Sequence, residues 1–458
     1  MERRRKGASG LCAGCEPGSK IGRRSGTKLA GCLPLASADG TFMDPLKIAF
    51  FTTFYPPYHF GGDAIGIERL VRALARRGCE ITVIHNVDAF KALNGPAPEA
   101  EPKTDTNIRI VKMESGAPAL STLLTHQLGR PALYERIIDK TLAEGDFDII
   151  WHNNASLIGA PATLKKGDAL KIYEAHEHWL VCPTHVLWRY GRERCDEKKC
   201  LSCILSYKRP PQLWRMAGAF EGGLKAIDLF IAKSAFSRDK HAEFGFRHAM
   251  SVIPYFLPDA PLSSAKSPRP QERPYFLFVG RLEKIKGLQD VFPAFEKFDG
   301  ADLIVVGAGE YEEELKAKAK DNPRIRFTGR LAPDDIAQYY EHAEALIVPS
   351  ICYETFGIII IEAFRQGTPV IARRLGPFPE IIESAGGGLL FETPADLAAA
   401  LAEIATKPAR RDELSMNARR GFEKYWREDV VVDQYFGVLA EAAEARGDAK
   451  LLNKLERR

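Results

Sequence analysis

Two carboxylates, Glu354 and Glu362, stand eight positions apart in the stretch PSICYETFGIIIIEAFRQGTPVIA (349–372). Glu354 falls in a loop just after the apolar run ALIVPS (345–350). Phe356-Gly357 opens a helix, Glu362 lies inside it, and Gly367 ends it. A helix start leaves N–H groups unpaired and carries the positive end of the dipole, which suits a phosphate. A carboxylate ahead of that start can accept hydrogen bonds from sugar hydroxyls, and one deeper in the helix can hold a ribose diol. The spacing alone would carry nothing in a chain with 60 acidic residues. The bracketing by Pro-Ser, Phe-Gly and Gly-Thr-Pro-Val is what gives it weight.

A second group is cationic. In VGRLEKIKGLQD (279–290) an apolar run ends at Gly280, and Arg281 and Lys286 follow on the turn. Two cations beside a pyrophosphate stabilise charge developing on a leaving phosphate: arginine forks across two oxygens, while lysine acts as a point charge. Gly307-Ala308-Gly309 follows DLIVV but lacks the third glycine of a dinucleotide fingerprint. Thr328-Gly329-Arg330-Leu331 is another loop at the end of an apolar run. Gly61-Gly62 precedes a helical pattern, and glycine there allows close approach of the backbone to a ligand. His176 ends the run KIYEAH, followed by Glu177 and His178. Cys182, Cys195, Cys200 and Cys203 are spaced C-x12-C-x4-C-x2-C. Four thiolates in one loop suit a tetrahedral structural zinc site or an iron–sulfur cluster; free or redox-paired thiols are the alternative. Basic neighbours in RYGRERCDEKKC are expected to lower the thiol pKa values.

The elements needed to position these groups can be read along the chain. LKIAFFTTF (46–54), CEITVIHN (79–86), FDIIWHN (147–153), ALKIYEAH (169–176), DLFIAKS (228–234) and SVIPYF (251–256) read as strands, several of them continuous apolar runs of the kind buried in parallel sheets. AIGIERLVRALARRG places Ile65, Ile67, Leu70, Val71 and Leu74 at helical spacing and stops at Gly78. The same grammar restarts with YFLFVG (275–280), ADLIVVGAG (301–309), IRFTG (325–329), ALIVPS, TPVIAR (368–373) and GGLLF (387–391), and VVVDQYFGVLAEAAEA (430–445) reads as an amphipathic helix. The expected fold class is therefore α/β, with two Rossmann-like domains facing each other across a cleft where the strands end. The expected divisions are a leader at 1–42, disordered or upstream of a true start at Met43; an N-terminal domain at 43–258 with a cysteine-rich insertion at 182–203; a Pro- and Ser-rich linker at 259–273; a C-terminal domain at 274–426; and a segment at 427–458 whose helix packs back toward the N-terminal domain.

The chain has 458 residues, 45% of them hydrophobic, which is too long for one ordinary core. A net charge of +4 is small against 64 basic and 60 acidic residues and says little about nucleic acid, whose binders usually show a concentrated basic face; no nucleic-acid partner is expected. No run of about 18 apolar residues reads as a membrane span. Basic helices such as RALARRG are candidates for peripheral contact with anionic lipid, against the plainer reading of a solvated face.

The segment 349–372 resembles the signature of glycosyltransferase family 4, a group 1, retaining family of GT-B fold whose hallmark is two glutamates with seven residues between. The resemblance runs from about residue 46 to the C-terminal helix. It implies contact of Glu354 with a donor sugar ring, of Glu362 with the donor ribose, and of the backbone at Phe356, Gly357 and Ile358 with the diphosphate. It places Arg281 and Lys286 as the diphosphate clamp, Gly307 beside the nucleotide, Arg330 near the base, and Gly61-Gly62 facing donor phosphates and acceptor. His176 stands where the family often has His-Asp, with Glu177 departing at the second position, and is expected to face the cleft and orient sugar or acceptor. VIPYFLP (252–258) resembles the family's Val-Ile-Pro-Asn hinge, with Tyr255 in place of Asn. The implied activity is transfer from a nucleoside diphosphate sugar to a hydroxyl acceptor (glycan, lipid-linked or small molecule) with retained configuration, no metal being required for transfer. With no signal peptide and an odd count of nine cysteines, a cytoplasmic enzyme is expected. The rival readings are a GT-B epimerase or phosphorylase, and a non-catalytic sugar-nucleotide sensor or metal-stabilised binding module.

Overall fold

The computed structural model describes residues 44–94, 105–258 and 267–457. The expected leader and residues 259–266 of the expected linker lie outside the described residues. From Asp44 onward the chain forms one compact unit built on two parallel sheets.

The first sheet takes β1 (Lys47–Thr52), β2 (Glu80–Asn86), β3 (Ile108–Met113), β4 (Ile149–His152) and β5 (Leu170–Ala175). After an antiparallel ribbon of β6 (Trp188–Arg189) and β7 (Glu193–Arg194), it adds β8 (Leu229–Ala232) and β9 (Ser251–Val252). The order is β3-β2-β1-β4-β5-β8-β9. β1, β4 and β5 are buried along nearly their whole length, as continuous apolar runs in a sheet covered on both faces must be. β3 has no counterpart in the sequence reading. It is an edge strand in which exposed Arg109 and half-buried Lys112 break the apolar run, so neither continuity nor strict alternation marks it. SVIPYF yields only the two residues of β9, since Pro254 cannot donate to a ladder.

The second sheet is β10 (Tyr275–Val279), β11 (Asp302–Val306), β12 (Ile325–Gly329), β13 (Leu346–Val348), β14 (Val370–Arg373) and β15 (Gly388–Phe391), in the order β12-β11-β10-β13-β14-β15. In both sheets the strand order reverses beside the first strand, between β1 and β4 and between β10 and β13. A doubly wound sheet opens its ligand crevice at such a point, beyond the carboxyl ends of the strands. Every candidate site loop leaves one of those ends.

Apolar clusters lie on each face of each sheet. The helix Glu428–Arg446 returns to the first lobe, where Val431, Val432, Tyr435, Phe436 and Leu439 join the cluster formed by β1, β4 and the helix Gly62–Arg76. Leu439 is fully buried. Leu439→Ala is expected to cost about 2–5 kcal/mol, read as a fall in the urea midpoint with unchanged slope. The same return uses charges of RALARRG: Arg76 pairs with Glu428 at 2.5 Å and Arg77 with Asp433 at 2.8 Å, while Arg72 pairs with Glu68 on its own helix at 2.9 Å. These ion pairs agree with the plainer reading of a solvated helix face. Among the described residues no helix is long and apolar enough to cross a membrane.

Candidate functional site

Two of the side chains expected to act together meet, and a third lies within reach of their field. Lys286 closes a 3-10 turn, Lys284–Lys286, after β10, and its Nζ lies 2.7 Å from Oε1 of Glu354 in the loop after β13. The turn is pinned by Gly287, whose φ of 71° and 2.1 Å spacing between a built Cβ and Pro349 O leave no room for a side chain. Ser350 Oγ also donates to Glu354 Oε1, at 3.1 Å. Burial works against ionisation of the Glu354 carboxyl, but Lys286, the Ser350 hydroxyl and Arg281 outweigh it and hold the group below its ordinary range. Burial likewise pulls the Lys286 ammonium down, and Glu354 more than reverses this. Arg281 is exposed, with Nη1 2.6 Å from Glu283 Oε1; its field reaches both Lys286 and Glu354.

The helix Ile358–Gln366 starts beside this cluster. Gly357 is its N-cap and no side chain caps it, while Gly367 ends it in the left-handed region. Its first amides are therefore free of side-chain acceptors where an anion would approach. Phe356 is buried and anchors the turn. Across the lobes, a Cβ built on Gly62 would sit 3.7 Å from Ile358 Cδ1, so the Gly61-Gly62 loop does face this helix start.

Glu362, deeper in the helix, accepts from Tyr340 OH at 3.1 Å and pairs with Arg69 of the first lobe at 3.4 Å. Neither partner is marked by any sequence motif; Arg69 reaches Glu362 across 293 positions. Gly307 packs too tightly for a side chain, a built Cβ falling 1.9 Å from Gly280 O, and its amide donates to Gly329 O at 2.9 Å. The loop expected beside the nucleotide is thereby tied to the one expected beside the base, where Arg330 is exposed.

His176 is placed differently from expectation. Its side chain is almost fully buried and both ring nitrogens are engaged: Nε2 with Asn153 Oδ1 at 3.0 Å and Nδ1 with the Tyr255 hydroxyl at 2.5 Å. Neither nitrogen is left to meet a sugar. Its carbonyl oxygen instead accepts from Thr355 Oγ1 at 2.9 Å, while Thr355 O accepts from Ser234 Oγ at 2.7 Å. His176 thus fixes the loop carrying Glu354 against the ends of β5 and β8. Glu380 adds a further tie between lobes, accepting from the Ala235 and Phe236 amides at 3.1 and 3.0 Å.

The cysteine insertion folds as the β6–β7 ribbon and the helix Cys200–Ser206. The expectation of depressed pKa values is overturned at Cys195 and Cys200. Burial, then the neighbouring thiols, push Cys195 up to about 11 and Cys200 upward, outweighing the nearby bases. Each of three sulfurs is engaged locally: Cys182 with Thr184 Oγ1 at 3.2 Å, Cys195 with Glu197 O at 3.5 Å, Cys203 with the Tyr190 amide at 3.4 Å. Among the described residues no group of three or more His, Cys, Asp or Glu side chains is placed to hold a metal ion. What the insertion does touch is the site loop. Asp196 accepts from Tyr353 OH at 3.0 Å, and Arg194 lies over the Tyr353 ring.

Comparison with known proteins places these observations in a family. Residues 60–258 match the model of Glycosyltransferase Family 4, and residues 259–421 that of Glycosyl transferases group 1. A sulfoquinovosyl transferase of Arabidopsis thaliana is 32% identical over 163 residues, 34% of this chain and 31% of that protein. The chain thus spans about a third of that relative. A GDP-mannose-dependent alpha-(1-6)-phosphatidylinositol monomannoside mannosyltransferase of Mycobacterium tuberculosis is 26% identical over 316 residues, 64% of this chain and 75% of that protein. The structure of Anabaena HepE in complex with UDP-glucose superposes with a TM-score of 0.57 at 18% identity, over 86% of this chain and all of that one. That likeness shows the fold. With both halves of the chain matched, two Rossmann-like lobes, and the paired glutamates in their expected loop and helix, the protein belongs to the group 1, family 4 glycosyltransferases of GT-B fold.

Proposed function

We propose that the protein moves a glycosyl unit from a nucleoside diphosphate sugar to a hydroxyl acceptor, with retention at the anomeric carbon. The observation that carries this reading is the Lys286–Glu354 pair at 2.7 Å beside the uncapped start of Ile358–Gln366. A diphosphate seated at the helix start would meet its free amides, Lys286 and the exposed Arg281. These fixed positive charges stabilise the phosphate as the sugar bond breaks. Glu354 would accept from donor sugar hydroxyls. Glu362 would take the ribose diol, which requires Arg69 to yield or share its place. The family's donors, and the UDP-glucose bound by the HepE neighbour, support a nucleotide donor. Retention fits front-face attack, in which the leaving phosphate takes the acceptor proton. His176 serves by holding the Thr355 loop.

Because Arg281, Lys286 and the helix start supply the positive charge themselves, we infer that transfer proceeds without a metal. The expected result is that release of nucleoside diphosphate continues at the same rate in excess EDTA. A loss restored by magnesium would sink that part of the mechanism. The reading as a whole is tested by screening UDP- and GDP-sugars for thermal stabilisation, then for diphosphate release and product anomer by NMR. It fails if none stabilises the protein and none is turned over.

A further inference from the structure

A cavity of about 380 Å3 lies in the first lobe, outside the cleft, between the cysteine insertion and the helices Leu213–Met216 and Ala219–Leu224. This is the size range of ligand pockets, roughly 300–1,000 Å3. Its walls are apolar, from Leu201, Ile204, Phe220, Leu224 and Phe246. Its charged lining is Lys198, Arg215 and Arg247 against a single acid, Glu221.

Arg215 is the unusual member. Its guanidinium is stacked 4.2 Å from the ring centre of Phe220 and 4.4 Å from that of Trp179. Nε donates to Gln212 Oε1 at 2.6 Å and Nη2 to Trp179 O at 2.7 Å, which uses two of its N–H groups. Among the described residues it forms no ion pair, and burial pulls its pKa down to about 10. Aromatic faces offset part of the cost of enclosing that charge, but they bring no net negative charge. Beside it, buried Gln212 has an Nε2 with no partner. A guanidinium and an amide donor, both short of acceptors, face apolar walls.

The surroundings have the same character. From Lys198 to Phe220 the chain carries Lys198, Lys199, Lys208, Arg209 and Arg215 and no acid. Leu201, Leu205, Leu213 and Met216 are exposed on that stretch, Met216 by 73%. The cavity also borders the donor loop: Phe244 lines it and shares an apolar cluster with Tyr353, the residue before Glu354.

We propose that this cavity binds an anionic amphiphile, its phosphate end paired with Arg215 and Gln212 and its apolar chain along Leu201, Ile204 and Phe246. Resting on the transferase reading above, the occupant is the lipid part of a phosphate-linked acceptor.

The probe is decyl phosphate below its micelle concentration, with decyl maltoside and inorganic phosphate as controls. Binding is followed by the fluorescence of Trp179 and Trp214. Decyl phosphate should quench saturably, at least about tenfold more tightly than either control, and Arg215→Met should weaken it by about tenfold or more, with UDP binding at the cleft unchanged. Equal affinity for decyl phosphate and decyl maltoside, competition by inorganic phosphate as strong as by decyl phosphate, or an unaffected Arg215→Met protein each overturns the proposal. If Arg215→Met loses UDP binding, and so its fold, Lys198→Glu at the exposed rim takes its place and should weaken decyl phosphate several-fold; no change overturns it. UDP binding without decyl phosphate binding removes this proposal and leaves the transferase. Decyl phosphate binding without binding of any nucleotide removes the transferase and leaves an anionic-lipid site.

Discussion

Replacing Lys286 by methionine is expected to lower kcat by about 10²–10³-fold, the usual cost of removing one donor aimed at charge that develops in the transition state. Two effects act together. The diphosphate loses the cation nearest the helix start, and Glu354 loses the partner that keeps it ionised. With Lys286 gone, burial dominates at Glu354 and its pKa moves up. A carboxylate that must be charged to accept from sugar hydroxyls is then lost at a higher pH as the medium is acidified. The acid limb of kcat/KM should therefore shift upward in Lys286→Met relative to the parent. Glu354→Gln separates the contributions: it keeps the cation, loses activity, and shows no acid limb from this group. A Lys286→Met enzyme with unchanged kcat and an unmoved acid limb would remove the pair from the mechanism.

Much of this site was legible before the fold, and the reasons are local. Glu354, Phe356-Gly357, Glu362 and Gly367 lie in one segment whose strand, loop and helix are each set by neighbouring residues, so their spacing carries their geometry. Arg281 and Lys286 follow from the strand before them. Arg69 and Tyr340 were not legible, since nothing near either residue announces Glu362. His176 was found but given the wrong exposure. Its burial depends on Tyr255, which stands where the family's hinge has Asn, and on Asn153 at the end of the preceding strand. The bases around the cysteines were misread for a physical reason. A charged side chain's partners, or the burial that outweighs it, come from residues distant in sequence. β3 escaped because Arg109 and Lys112 interrupt its apolar residues, leaving neither a continuous run nor a clean alternation.

The largest stability effect is expected behind the site rather than in it. Glu174 on β5 and Lys233 after β8 are both almost completely buried, their charged atoms 2.6 Å apart. Trp151 Nε1 donates to the second carboxylate oxygen at 3.0 Å, Lys233 donates to Tyr435 OH at 2.8 Å, and the Tyr435 hydroxyl donates to Glu174. Lys233 also lies 4.5 Å from the ring centre of Tyr255, whose hydroxyl holds His176. Burial opposes the charge on Glu174, but Lys233 and His176 outweigh it and hold the carboxyl well below its usual range. Lys233→Met should then cost about 3–5 kcal/mol at neutral pH, because it strands a buried carboxylate. The sign of the pH dependence follows. A carboxyl with a depressed folded pKa contributes stability above its unfolded pKa of about 4, and that contribution is lost as pH falls. Without Lys233 the same carboxyl prefers to be protonated, so acid relieves the variant while it weakens the parent. Urea midpoints of the two proteins should lie far apart at pH 7 and draw together as pH falls, first as the variant's carboxyl protonates above the ordinary carboxylate range and then as the parent's loses its advantage below it. Glu174→Gln added to Lys233→Met removes the stranded charge and should recover part of the loss at pH 7. A gap that is small at pH 7, or one that widens in acid, would mean that the pair is not ionised in the folded protein, and that the ties among the C-terminal helix, Tyr255 and His176 rest on packing alone.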